Sequence, residues 1–138
     1  MADPAAQCVL VVDDDEGVAL TFSRMLRLHG YRVETATNPE AGLAIANTRP
    51  PDAIILDLRM PIVGGLEFLR RLRDFKTDHA TSVTIVTGDY FIEEHIAAEI
   101  KHLGAQVCFK PLWLDDLVDV VRAMLPSTPP PVGACAGV

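Results

Sequence analysis

Residues 53–61 read AIILDLRMP. The four apolar residues 53–56 have the composition of a strand buried on both faces. The run stops at a carboxylate, Asp57, and a turn-former follows at Pro61. Asp and Pro are both poor strand formers. A buried strand that ends on a charge calls for a reason, and one such strand would mean little. The remaining apolar runs therefore bear on the same question.

Outward from this stretch, apolar runs alternate with helical patterns. Upstream lie CVLVV (8–12) and the half-polar YRVETA (31–36), which alternates as an edge strand does. Downstream lie SVTIV (82–86) and AQVCF (105–109). Each run is followed by a helical pattern. In 13–30, Val18, Phe22, Met25 and Leu26 share a face, and Gly30 suits the helix end. In 38–49, Asn38 is placed to cap and Pro39 to open a helix. The stripes Leu66, Leu69, Leu72, Phe75 and Ile92, Ile96, Ile100, Leu103 mark two more helices. Leu114, Leu117, Val118 and Val121 mark a fifth. Strand–helix five times over, with continuous apolar strands and short connections, predicts an α/β fold. Its sheet is parallel, with helices on both faces and right-handed crossovers. The spacing gives one domain over 7–125. The Pro- and Gly-rich stretch 126–138 reads as a disordered tail or a truncated linker.

Composition narrows the class. With 138 residues and 49% apolar content the chain supports one core, and a net charge of −7 argues against binding nucleic acid. No apolar run is long enough for a membrane span, and MADPAAQC (1–8) has no leader pattern, so a cytoplasmic location is expected. Cys8, Cys108 and Cys135 fit neither a disulfide framework nor a zinc site. His29, His79, His95 and His102 show no metal-ligand spacing.

In an open parallel sheet, ligands bind at the carboxyl ends of the strands. Those ends supply Asp13, Asp14 and Asp15 from the first strand and Asp57 from the third. The fourth and fifth supply Thr87 and Lys110. Clustered carboxylates repel one another and must take up protons or a cation. An all-oxygen set favours a hard cation, which points to Mg²⁺. Lys110 and Thr87 can donate to phosphate oxygens, and a carboxylate in this setting can attack phosphorus.

With VLVVDDDEG (9–17), ILDLRMPIVGG (55–65), IVTG (85–88) and FKP (109–111) in this order, the sequence resembles the receiver domain of two-component response regulators from about Cys8 to Leu125. The resemblance implies a flavodoxin-like sheet of five strands in the order 2-1-3-4-5. It implies that Asp57 accepts a phosphoryl group from a histidine kinase or a histidine phosphotransfer protein. Thr87 and Lys110 then contact that group. Mg²⁺ is held by Asp13, Asp14, Asp57 and the backbone carbonyl of Arg59, with Asp15 left as a helix cap. Such a domain promotes only its own phosphorylation and dephosphorylation. It signals through protein contacts, as a monomer or a phosphorylation-dependent dimer. Gly88 matches a small residue beside the site. Val107 departs from the family by standing where many relatives carry Tyr or Phe. Arg59 and Asp89 occupy two positions that, in the family, tune the lifetime of the phosphoryl group.

Two other readings compete. A phosphotransferase of the haloacid dehalogenase type would use Asp13, Asp15, Thr87 and Lys110. It also needs an acid on a later strand, whereas Asp115 and Asp116 fall in a helical pattern. A receiver-like binding module without phosphorylation would leave the full set of polar strand ends without a use. Arg70, Arg71 and Arg73 form a basic cluster that reads as a solvated face or a docking patch for an acidic partner.

Overall fold

The computed structural model describes residues 7–58, 64–75, 81–88, 92–109 and 114–125. Five strands alternate with five helices. They are β1 (Cys8–Val12), α1 (Glu16–Leu28), β2 (Arg32–Ala36), α2 (Pro39–Thr48), β3 (Ala53–Asp57), α3 (Gly65–Asp74), β4 (Ser82–Thr87), α4 (Glu94–His102), β5 (Ala105–Phe109) and α5 (Leu114–Met124). The strands form one sheet in the order β2-β1-β3-β4-β5, and every neighbouring pair is parallel. YRVETA is therefore an edge strand, as its alternation predicts.

The continuous apolar strands follow from the two covered faces. Side chains alternate along a strand. Leu10, Val12, Ile54, Leu56, Val83 and Ile85 join one core with Leu43 of α2, Phe68, Leu69 and Leu72 of α3, and Ile100 of α4. Val9, Val11, Ile55 and Val86 join the other with Phe22 and Leu26 of α1 and Leu117 and Val121 of α5. Both faces are covered, so the inner strands β1 and β3 are apolar on both sides.

Local chemistry sets the element ends. Asp15 caps α1, its carboxylate accepting from the N–H groups of Gly17 and Val18 at 2.9 and 3.2 Å. Asn38 caps α2, accepting from Ala41 N–H at 2.8 Å, with Pro39 in the first turn. Helix α4 starts later than its pattern suggests. Ile92 precedes it, and Glu93 makes no side-chain cap. FIEEH offers no Ser, Thr, Asp or Asn to hold the first N–H groups. Helix α3 corrects a second expectation. Its buried face is Gly65, Phe68, Leu69 and Leu72, while Leu66 and Phe75 are half-buried. A strict three-residue repeat drifts around a helix of 3.6 residues per turn, so the true stripe runs i, i+3, i+4, i+7. Finally, β3 and β4 each run one residue past their apolar runs. Asp57 and Thr87 are thus strand residues, not loop residues.

Among the described residues no helix is long and apolar enough to cross a membrane. The stretch 126–138 lies outside the described residues.

Candidate functional site

Sheet register explains how the acids meet. Val12 of β1 pairs with Leu56 of β3. One residue further along two parallel strands, Asp13 and Asp57 arrive at the same height and on the same side of the sheet. The strand order reverses between β1 and β3, because β1 leads to β2 on one side and β3 to β4 on the other. Such a switch point opens a crevice at the carboxyl ends of the strands.

The carboxylates of Asp13, Asp14 and Asp57 lie there with oxygens within 4.8 Å of one another. Asp13 and Asp57 are only 5% and 7% exposed, while Asp14 is open to solvent. Asp13 is held on both sides. Its N–H donates to the Ala36 carbonyl at 3.1 Å, and its carboxylate accepts from Asp15 N–H at 2.9 Å. That second bond turns the chain so that Asp14 can face Asp57 and Asp15 can cap α1. Two buried acids and one exposed acid make an oxygen set that is closed toward the protein and open toward solvent. This donor chemistry fits a hard divalent ion that keeps water or phosphate on its outer side.

Thr87 is fully buried at the end of β4. It stands one residue past Val86, the register partner of Asp57, and pairs with Phe109 of β5. Arg59, Asp89 and Lys110 lie outside the described residues. Of the residues singled out from the sequence, the structure thus gathers Asp13, Asp14 and Asp57 and sets Thr87 on the adjacent strand.

Sequence reasoning missed what holds Asp57 in place. A Cβ on Gly65 would lie 2.7 Å from the Asp57 carbonyl oxygen and 2.9 Å from Leu58 Cα. Gly65 N–H also donates to the Leu58 carbonyl at 2.9 Å. The first turn of α3 is therefore packed directly on the backbone that carries Asp57, and only glycine permits that approach. The GG pair after the third strand was the available signal. Gly88 behaves differently, since a Cβ there meets nothing within 4 Å among the described residues.

The arginine cluster on α3 was also read incompletely. Arg70 pairs with Glu99 of α4 and Glu67, Arg71 pairs with Glu67, and Arg73 donates to the Leu103 carbonyl. Hydrogen bonding to Arg70 holds the Glu99 carboxyl below its ordinary range. Arg70 and Arg71 are matched by this chain's own acids, and Arg73 by a backbone carbonyl. Val107 lies on β5 opposite Ile85 and packs half-buried against the α2–α4 core, as an apolar side chain without a polar tip. Burial pushes the thiols of Cys8 and Cys108 up from their ordinary value.

A doubly wound parallel sheet with three acids gathered at its switch point defines a class of small α/β domains with an acidic strand-end crevice. Within that class the chain belongs to the response regulator receiver domain family, whose pattern matches residues 9–122. It is 35% identical over 127 residues to the response regulator MprA of Mycolicibacterium vanbaalenii, which covers 91% of this chain and 53% of that protein. It is 32% identical to sporulation initiation phosphotransferase F of Bacillus subtilis, covering 86% of this chain and 93% of that one. The chemotaxis response regulator CheY4 of Vibrio cholerae superimposes with a TM-score of 0.79 at 30% identity, over 88% of this chain and 100% of that chain. The chain spans about half the length of the curated relatives it matches first. It is a receiver domain of two-component signalling, and the dehalogenase alternative is not favoured. Asp115 and Asp116, the acids that alternative lacked a strand for, are exposed on α5.

Proposed function

We propose that this receiver domain takes a phosphoryl group onto Asp57 from a phosphohistidine of a histidine kinase or a histidine phosphotransfer protein. One Asp57 oxygen attacks phosphorus in line, the P–N bond breaks as the P–O bond forms, and the imidazole leaves with the electron pair. Asp13, Asp14, Asp57 and the Arg59 backbone carbonyl would hold Mg²⁺, which neutralises charge on the phosphoryl oxygens. Thr87 donates its hydroxyl to one of those oxygens and Lys110 its ammonium to another. Residues 7–125 form the working unit, in the cytoplasm. The unit acts as a switch whose chemistry is confined to its own phosphorylation and dephosphorylation. Its output passes through protein contacts, either as a monomer or as a dimer formed on phosphorylation.

One observation carries this reading: three carboxylates, two of them buried, gather within 4.8 Å at the ends of β1 and β3. Burying like charges together is costly unless a cation or proton joins them. The test is incubation with Mg²⁺ and a small phosphodonor, read by intact-mass spectrometry. One phosphate should add, and Asp57→Asn should remove it. Full phosphorylation of Asp57→Asn would sink the assignment.

A further inference from the structure

Strand β2 ends the sheet on one side, with β1 as its one neighbour. Its backbone groups alternate in direction. Arg32 N–H donates to the Gln7 carbonyl at 3.0 Å, and the Ala36 carbonyl accepts from Asp13 N–H at 3.1 Å. Residues 32, 34 and 36 therefore aim their N–H and C=O groups at β1. Those of Val33 and Thr35 aim outward, where among the described residues no further strand lies. A row of such groups is a template for another strand. Here one of them is taken. Arg27, in the last turn of α1, donates from Nη2 to the Val33 carbonyl at 2.9 Å.

The strand is also self-complementary in charge. When two copies pair antiparallel about a two-fold axis at Val33, the two Val33 residues exchange both N–H···O=C bonds. Arg32 of each copy then stands directly opposite Glu34 of the other, on the α2 side of the sheet. Arg49, at the end of α2, already holds Glu34 on that side at 3.0 Å. An axis at residue 34 instead sets Glu34 against Glu34, which is unfavourable. We propose that β2 is a pairing edge for a second copy of this chain, and that Arg27 keeps it closed by occupying the Val33 carbonyl at the axis. Each copy must give up its Arg27 bond before the central strand bonds form. The exchange of one hydrogen bond for another gains little, and the entropy lost on association is left without compensation. The monomer is therefore the resting state. Without the Arg27 donor, the same strand bonds satisfy a bare carbonyl and pairing is favoured.

The test is sedimentation equilibrium of the full chain over a range of concentrations, without Mg²⁺ or phosphodonor. Wild type should stay at the monomer mass. Arg27→Ala should climb toward the dimer mass, and so should Arg27→Met, which keeps the aliphatic stem and loses the donor. In the Arg27→Ala background, Thr35→Pro should restore the monomer, because it removes an outward N–H and no bond to β1. Arg32→Glu in that background should also restore the monomer, and adding Glu34→Arg should bring the dimer back. Monomeric Arg27→Ala and Arg27→Met across the whole range overturn the proposal. A dimer that survives Thr35→Pro overturns it as well. So does a wild type already paired through this edge, since Arg27 would then close nothing.

Discussion

Asp13, Asp14 and Asp15 are consecutive, yet the fold gives them three environments. Asp13 is buried and bonded to the turn, Asp14 is exposed beside Asp57, and Asp15 is spent on the α1 N-terminus. Substitutions should separate them. Asp14→Asn should weaken Mg²⁺ binding about tenfold or more, as loss of a charged ligand does. Asp15→Ala should cost about 1 kcal/mol of stability through the lost cap and leave Mg²⁺ affinity unchanged. Titration calorimetry and urea unfolding read the two effects. Equal loss of Mg²⁺ affinity in both variants would mean that the acidic pair is displaced by one residue. A second residue stands out for its lack of a role. Thr84 is fully buried in β4, and its hydroxyl finds no hydrogen-bond partner among the described residues. It lies between Ile55 and Gln106 in the sheet. A buried hydroxyl without a partner costs about 1–3 kcal/mol. Thr84→Val keeps the branched shape and should stabilise the fold by about 1 kcal/mol, as a raised urea midpoint at unchanged slope.

At the scale of elements, the contact of α3 with β3 decides where Asp57 sits. Helix α3 begins on the Asp57–Leu58 backbone because Gly65 has no side chain. Gly65→Ala must push α3 outward or move Asp57, since backbone cannot yield as a flexible side chain can. Overpacking of this kind costs about 1–3 kcal/mol. The variant should remain folded, phosphorylate more slowly and bind Mg²⁺ more weakly. Wild-type phosphorylation in Gly65→Ala would show that the loop absorbs the extra carbon without disturbing Asp57. Gly42 plays the matching part for α2, where a Cβ would meet Val12 Cγ2 at 2.9 Å and Phe68 Cε2 at 3.0 Å. There the neighbours are side chains that can shift, so the effect should fall on packing and leave the site intact.

For the whole molecule, the proposed Mg²⁺ site should trade stability of the metal-free fold for binding. The chain carries a net charge of −7, and two of its acids are buried side by side at the switch point. Mg²⁺ that binds only the native state stabilises it, by about 2.7 kcal/mol at a hundredfold excess over the dissociation constant. The melting temperature should therefore climb with Mg²⁺. Asp57→Asn should melt higher than wild type in metal-free buffer and lose most of that climb, as scanning calorimetry would record. A wild-type melting temperature indifferent to Mg²⁺ would contradict the metal site. Much of this molecule was legible in its residues. Alternating apolar runs and helical stripes determined the α/β class, the five units and the edge position of YRVETA, because burial on two faces leaves a direct mark on composition. Strand-end polarity picked out Asp13, Asp14, Asp57 and Thr87, because a charge is tolerated at the mouth of a parallel sheet and not inside it. Three things waited on the tertiary structure. The division of labour among Asp13, Asp14 and Asp15 depends on the register of β1 against β3 and on one turn bond. The need for glycine at 65 depends on a backbone reached only after the chain turns back. The pairing of Arg70 with Glu99 joins residues on separate helices. Each is a contact between segments far apart in the chain or a choice among identical side chains, and local patterns of hydrophobicity carry no record of either.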